Sequence, residues 1–284
     1  MSNMRAIKLR IRSVESTRQI TRSMKMMAAS KLRQVQQKSG LFRGYADETA
    51  RLLSAVAASD KKINNPYLTE RETKRICYVL FVGNRGLCGA YNTDLLRHLA
   101  DCADKSEQEK TLVVCGRWGR EYISALGIEV DRCFDNISDT PTAAEAEEIS
   151  SYLKEIYLSG RADRIVLVYQ HYVSALKQVS TDVTLLPAEA EKTEKQREYI
   201  FEPDGTAVLD TLCELYISSR VYSALLDAKT SEHTARMTAM TSATDNTDEL
   251  ISKLTLELNH ARQSAITTEI SEIVGGAAGL KEEC

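Results

Sequence analysis

Glycines at a regular three-residue spacing are the first feature that could carry chemistry. Gly83, Gly86 and Gly89, with Arg85 between them, lie in the segment 83–92 (GNRGLCGAYN), after an apolar run and before a helical pattern. Glycines in such a loop can let backbone amides approach a phosphate group. The G-x-x-G-x-x-G spacing differs from the dinucleotide fingerprint, however, and the Lys-Ser/Thr pair of a P-loop is missing. The favoured interpretation is a structural glycine loop, a tight strand-to-helix turn, and not a nucleotide site.

Carboxylates, histidines and cysteines offer little further chemistry. Glu269 and Glu272 share one helix face, as paired acid/base carboxylates would, but nothing else in that segment supports a reaction. The 4 histidines and 7 cysteines include no C-x-x-C pair and no spacing typical of metal ligands. We therefore expect no catalytic residue, no metal site, no cofactor and no small-molecule substrate.

Positive charge is concentrated at the start of the chain. Residues 1–46 contain eleven Lys or Arg and one acid, Glu15, although the whole chain has a net charge of −3. A basic helix of this kind can bind nucleic acid through phosphate contacts, but aromatic residues arrive only at its end, with Phe42 and Tyr45. A solvated helix face is the common alternative. Mitochondrial transit peptides also start in this way, but here the pattern continues for roughly forty residues, which favours a mature helix.

The apolar runs are too short to cross a membrane. Those at 76–82 and 165–169 fall far below the roughly 20 residues that a spanning helix needs. A composition of 43% hydrophobic and 27% charged residues is typical of a globular protein. We expect any membrane connection to run through a partner.

Long helical patterns occupy both ends of the chain. No proline precedes Pro66, and residues 206–274 contain neither glycine nor proline. The first pattern has apolar or small residues at Met4, Ile7, Ile11, Val14, Ile20, Met24, Met27, Leu32 and Val35. The second has them at Ile251, Leu254, Leu258, Ala261 and Ala265. Spacings of three and four residues predict two seams that pair as an antiparallel coiled coil. Eight Ser or Thr residues within 229–247 leave the continuity of the second helix open.

The middle of the chain has a different pattern, in which β-branched apolar runs alternate with helical segments. The runs lie at 75–82, 111–115 and 164–169, and the helical segments at 92–103, 117–125 and 142–158. This alternation is typical of an α/β domain with a mostly parallel, Rossmann-like sheet. A further strand or hairpin is expected at 173–186. We predict this central α/β domain at 64–203, inserted between two long helices at 1–63 and 204–284.

Motifs at both ends and in the centre resemble those of F-type ATP synthase gamma subunits. They are the segments 24–32 (MKMMAASKL), 83–92, 243–246 (ATDN) and 261–277 (ARQSAITTEISEIVGGA). Asn84 departs from the Asp that the family more often has there, and Thr238 and Thr241 replace an apolar residue and a lysine. The order and spread of these motifs make an accidental resemblance very improbable.

The resemblance implies a role without catalysis: a central rotor shaft that couples proton flow through a membrane c-ring to ATP synthesis or hydrolysis. It implies the alpha/beta hexamer, the epsilon subunit and the c-ring as partners, and no nucleic acid. The implied location is peripheral, at the cytoplasmic face of a bacterial inner (plasma) membrane. A basic nucleic-acid-binding coiled coil is the alternative. The positions implied to contact the hexamer are Met24, Lys25, Met26, Arg236, Arg262, Gln263, Thr267 and Glu269.

Overall fold

The computed structural model describes residues 2–59, 65–118, 123, 127–188, 202 and 204–282, and it contains four helices and five strands there. The helices are α1 (Ser2–Ser59), α2 (Tyr91–Asp104), α3 (Ala143–Leu158) and α4 (Gly205–Glu282). The strands are β1 (Arg75–Phe81), β2 (Glu109–Cys115), β3 (Glu129–Phe134), β4 (Arg164–Ser174) and β5 (Lys177–Leu186). The predicted class, an α/β domain between two long terminal helices, is confirmed.

The five strands form one sheet in the order β3-β2-β1-β4-β5. The first four are parallel to one another, and β5 runs antiparallel to β4, with which it forms a hairpin. In the centre, Val79 of β1 pairs with Val113 of β2 and Leu167 of β4. Both faces of β1 are covered, which explains its uninterrupted apolar sequence.

Alternate residues of β1 enter two separate cores. Val79 and Phe81 belong to one core, together with residues of α1, α3 and α4. Tyr78 and Leu80 belong to the other, together with Leu95 of α2. This period of two is what a strand covered on both faces by helices requires.

β3 was not predicted, and the segment predicted as a helix at 117–125 lies mostly outside the described residues. β3 is an edge strand in which Glu129, Val130, Asp131 and Arg132 are exposed. Such a strand carries no apolar run, so its sequence has no strand signal.

By contacts, the chain divides into two compact units: Met1–Met27 with Met237–Cys284, and Ala28–Arg236. The sheet lies in the second unit. The domain boundaries predicted at 63/64 and 203/204 stay predictions. At the start of α4, the Asp204 carboxylate accepts a hydrogen bond of 2.9 Å from the Ala207 amide, as a helix cap does.

In the first unit, α1 and α4 pair antiparallel. Arg18 forms an ion pair of 3.0 Å with Asp248, and the hydroxyl oxygens of Thr244 and Thr21 lie 3.0 Å apart. On α4, Leu254 is buried, and the other predicted seam positions are half-buried: Ile251, Leu258, Ala261 and Ala265. The seam predicted for α4 is confirmed.

The seam predicted for α1 needs a correction after Val14. Ile20 and Met27, which we expected in the seam, are 58% and 60% exposed, whereas Thr21 and Ala28 are buried. The seam of α1 includes Thr21, although threonine is polar, because its hydroxyl contacts the hydroxyl of Thr244 on α4.

α4 is continuous through 229–247, which the sequence left open. Its hydroxyls bond back onto the helix: Thr230 donates to the Leu226 carbonyl and Thr234 to the Thr230 carbonyl, each over 2.7 Å. Thr244 does the same with the carbonyl of Met240. These bonds satisfy the hydroxyls inside the helix, so Ser and Thr are tolerated there despite their low propensity.

Candidate functional site

The carboxyl edge of the parallel sheet is where an open α/β fold usually binds a ligand, at the point where the strand order reverses. Here that point lies between β1, which continues into the glycine loop, and β4. The loop is tied to the turn after β2, because the Trp118 amide donates to the Gly83 carbonyl over 2.9 Å. A nucleotide in this fold would be expected at the same edge.

α4 occupies this edge instead. Its residues 224–234 are all buried, so this stretch of the helix is enclosed on every side. The Ser231 hydroxyl donates to the Gln170 carbonyl of β4 over 2.9 Å. A Cβ atom on Gly83 would lie only 3.0 Å from the Glu232 Oε1 atom. Glycine at position 83 therefore allows the close approach of α4.

A buried ionic cluster holds α4 against the loop. The Glu232 carboxylate lies 2.8 Å from Lys229 Nζ and 2.7 Å from Arg236 Nη2, and its side chain is 2% exposed. Arg236 also donates to the carbonyl of Arg85 over 3.3 Å. Burial alone raises the pKa of Glu232, but the two cations and their hydrogen bonds bring it below its ordinary value. The Glu232 carboxylate is therefore ionised, and both cations bond to it.

His233 completes the polar part of this segment. Its Nε2 atom lies 2.9 Å from the Asp139 carbonyl, so Nε2 carries the proton and donates. Burial lowers the pKa of His233, and the carbonyl bond opposes this only in part. A neutral imidazole therefore fits the site at neutral pH.

The glycine loop is closed by its own side chains. The Gly83 amide donates to Asn92 Oδ1 over 3.0 Å, and the Asn92 amide group lies 3.3 Å from the Cys88 sulfur. Gly89 has a φ of 59°, which favours glycine. The Gly83 amide is already bonded and the Glu232 carboxylate occupies the space beside Gly83, so the geometry gives no support to phosphate binding.

The predicted contact residues lie at three places. Arg236 lies in the second unit, where its side chain is 11% exposed and engaged with the glycine loop. Met24 and Lys25 are half-buried and Met26 is 60% exposed on α1. The remaining positions are exposed on the last part of α4: Arg262, Gln263, Thr267 and Glu269.

The contact residues on α1, at positions 24–26, and those on the last part of α4, at positions 262–269, do not lie close together. Thr244 contacts Thr21, close to Met24. Arg262 lies 18 residues further along α4, about 27 Å at 1.5 Å per residue. The fold does bring Arg236 to the glycine loop, and this contact was not predicted from the sequence. Lys229, Glu232 and His233 were also missed, although the i, i+3 and i, i+4 spacing of opposite charges was a signal for the ionic cluster.

Comparisons with known proteins decide the family. The ATP synthase family profile matches residues 3–280. The ATP synthase gamma chain of Desulfitobacterium hafniense is 43% identical over 281 residues, which are 99% of this chain and 100% of that relative. The gamma chain of Heliobacterium modesticaldum is 43% identical over 290 residues, with 99% and 100% covered. The chain belongs to the ATP synthase gamma chain family.

Solved structures show the same fold as this chain. The rotor of the Euglena gracilis mitochondrial ATP synthase has a TM-score of 0.69 at 20% identity, covering 93% of this chain and 99% of that one. The central stalk and c-ring structure of the Tetrahymena thermophila enzyme has a TM-score of 0.58 at 26% identity, covering 79% and 99%. Two long helices around a mostly parallel sheet are thus shared across distant sequences.

Membership of this family confirms the resemblance seen in the motifs. A gamma chain is a subunit of ATP synthase that is not itself catalytic, and it is a peripheral part of the membrane complex. Nothing in these comparisons supports the nucleic-acid alternative. Among the described residues, no helix is both long enough and apolar enough to cross a membrane.

Proposed function

We propose that this chain is the central rotor of an F-type ATP synthase. It couples proton flow through the membrane c-ring to ATP synthesis or hydrolysis in the alpha/beta hexamer. The observation that carries this proposal is the end-to-end match to gamma chains, with 43% identity over 99% of the chain. The antiparallel pairing of α1 and α4 in the first unit agrees with it, because a coiled coil is a stiff transmitter of torque.

The rotor acts by differential binding. An asymmetric helical pair inside a ring of three equivalent beta subunits presents a different face to each one. It therefore stabilises a different conformation in each beta subunit, and this difference in interaction free energy is an allosteric coupling. Rotation moves that bias around the ring, so nucleotide affinity changes at each catalytic site in turn.

We propose that the hexamer contacts α1 at Met24, Lys25 and Met26. Met26 is 60% exposed, although a large apolar side chain gains by burial. Methionine is flexible and polarisable, and its contacts are weakly directional. Such contacts can be exchanged at low cost as the helix turns, whereas fixed ion pairs would favour one angle.

Arg262 and Gln263 are proposed to form a contact that depends on the rotation angle. Both are exposed on α4, beside seam residue Ala261, and Thr267 and Glu269 follow on the next turns. A guanidinium group donates strong hydrogen bonds that depend on geometry. A loop of one beta subunit would then be held in one rotational state and released in the others.

Arg236, in the second unit, is proposed to make a further contact with the hexamer. Most of its side chain is engaged by Glu232 and the Arg85 carbonyl, and the remaining exposed fraction is 11%. Through this pair, a contact made by Arg236 would be transmitted directly to the glycine loop formed by Gly83, Arg85, Gly86 and Gly89. In this proposal the loop itself is structural.

The remaining partners are the epsilon subunit and the c-ring, which we propose to meet the α/β part of the chain. The complex would lie at the cytoplasmic face of a bacterial inner (plasma) membrane. The bacterial origin of the two gamma chains described above supports this location.

Co-purification tests the proposed function. The tagged chain is recovered from its native host, its partners are identified by mass spectrometry, and ATPase activity and ATP-driven proton pumping are measured on vesicles. We expect alpha, beta and epsilon subunits in an ATPase-active complex. Recovery of the chain alone, or with nucleic acid, would overturn the proposal.

A further inference from the structure

Three side chains of different chemistry converge where α2 covers β5. The Nε2 atom of His98 lies 3.0 Å from an Asp182 carboxylate oxygen and 3.7 Å from the Cys102 sulfur. The three donor atoms all lie within 4.8 Å of one another. Among the residues that the structure describes, this is the one group of His, Cys and carboxylate side chains close enough to share a metal ion.

The fold brings these residues together from distant parts of the sequence. His98 and Cys102 are four residues apart on α2, so they project from the same helix face. Asp182 lies in β5, where it pairs with Val168 of β4. His98 is 27% exposed and Asp182 51%, which leaves the group accessible to an ion from solvent.

The spacing of the donor atoms matches that of metal ligands. Zinc binds imidazole nitrogen, thiolate sulfur and carboxylate oxygen at about 2.0–2.3 Å, so neighbouring tetrahedral ligands are separated by about 3.3–3.8 Å. The separation of 3.7 Å lies within this range and that of 3.0 Å slightly below it, so small side-chain rotations complete the geometry. The mixture of nitrogen, sulfur and oxygen donors suits zinc better than magnesium or calcium, which require oxygen.

An ordinary surface hydrogen bond between His98 and Asp182 is the simplest alternative, and it requires no metal ion. His98 Nε2 faces both the carboxylate and the sulfur, so direct metal titration distinguishes the two arrangements.

We propose that His98, Cys102 and Asp182 bind a divalent transition-metal ion of the zinc class, with water in the fourth position. The bound ion links α2 to β5, the antiparallel edge strand of the sheet. This site is independent of the rotor function, and the earlier expectation of no metal site is replaced by this proposal. The sequence signal was the His-x-x-x-Cys pair on α2, whose third ligand lies 80 residues further on.

Titration of the full chain with Co²⁺, followed by displacement with Zn²⁺, tests the site. We expect one Co²⁺ per chain, with a near-ultraviolet charge-transfer band that requires a sulfur ligand. Cys102→Ser should abolish that band. His98→Gln and Asp182→Asn should weaken binding by roughly tenfold or more, since even outer-shell changes weaken metal sites by about that factor. Zn²⁺ should also raise the melting temperature of the parent chain but not that of Cys102→Ser, because the ion binds the folded form.

Matched substitutions outside the cluster are the controls. Cys133→Ser changes another half-buried cysteine, Asp101→Asn changes the neighbour of Cys102, and His260→Gln changes an exposed histidine on α4. All three should bind Co²⁺ as the parent does. Absence of stoichiometric binding, a charge-transfer band that survives Cys102→Ser, or unchanged affinity in both His98→Gln and Asp182→Asn would overturn the proposal.

Discussion

At the scale of residues, the Glu232 carboxylate is the group on which the attachment of α4 to the glycine loop depends. It is 2% exposed and bonded to two cations, Lys229 and Arg236. Removing one partner from a buried ion pair leaves an uncompensated charge and typically costs about 3–5 kcal/mol. We expect Glu232→Gln to lower the free energy of unfolding by about that amount, measured by urea denaturation of the purified chain.

Two further variants separate charge from packing in this cluster. Glu249 is an exposed carboxylate on the same helix that pairs with Lys253 over 2.6 Å. Glu249→Gln should leave the midpoint of urea denaturation unchanged. The double variant Lys229→Met/Glu232→Met removes the pair without stranding Lys229, so it should be less destabilised than Glu232→Gln. Equal stability of Glu232→Gln and the parent would contradict the proposed importance of the cluster.

At the scale of elements, burial of a neutral histidine makes the packing of α4 sensitive to pH. His233 faces the Asp139 carbonyl, and Glu232, Lys229 and Arg236 surround it, with the two cations opposing its protonation. Because the pKa of His233 is lowered in the folded state, the unfolded state binds more protons below about pH 6.5. Its contribution to stability is therefore complete above that pH and is lost as the pH falls.

We expect the free energy of unfolding to decrease more between pH 7 and pH 5 for the parent chain than for His233→Gln, as measured by urea denaturation at each pH. His260→Gln is the control, because His260 is exposed on the same helix and should keep the parent's pH dependence. A pH dependence in His233→Gln as steep as the parent's would exclude this histidine as the cause.

The same helix shows how far sequence reasoning reaches. The seam at Leu254 was predictable because burial there follows from a period of three and four residues, a local property. Burial of Glu232 was not, because it depends on Gly83 and on cations that satisfy the charge in the folded state. Burial of Thr21 on α1 likewise depends on a contact with Thr244, 223 residues away. Periodicity identifies apolar faces, whereas buried polar positions are fixed by partners that only the fold supplies.

At the scale of the whole molecule, the proposed rotor must turn against its partners without being held at one angle. Met24 is half-buried on α1 and next to Lys25 and the exposed Met26. Met24→Lys adds a charge that can form hydrogen bonds of about 1.5–3 kcal/mol with the hexamer. Such a bond slows escape from one angle by roughly ten- to a hundredfold. We expect fewer protons pumped per ATP hydrolysed while hydrolysis persists, measured on inverted vesicles.

Met24→Leu keeps the apolar character and is the matched control, so its pumping ratio should equal the parent's. If the complex with Met24→Lys pumps protons as efficiently as the parent complex, Met24 does not contribute to the exchangeable contacts between α1 and the hexamer. Loss of the assembled complex would instead show as missing alpha and beta subunits in the co-purification, which separates failed assembly from failed coupling.

Truncation tests whether the end of α4 contributes an angle-specific contact. Residues 266–274 are all exposed, and the seam residues before Arg262 remain in a chain that ends at that position. Because little burial is lost, assembly with the hexamer should persist. Because Gln263, Thr267 and Glu269 are lost, ATP-driven proton pumping should fall further than ATP hydrolysis. Full coupling in the truncated chain would rule out the angle-specific contact at those three residues, and the helical pair before Arg262 would then be sufficient to impose the sequence of beta conformations.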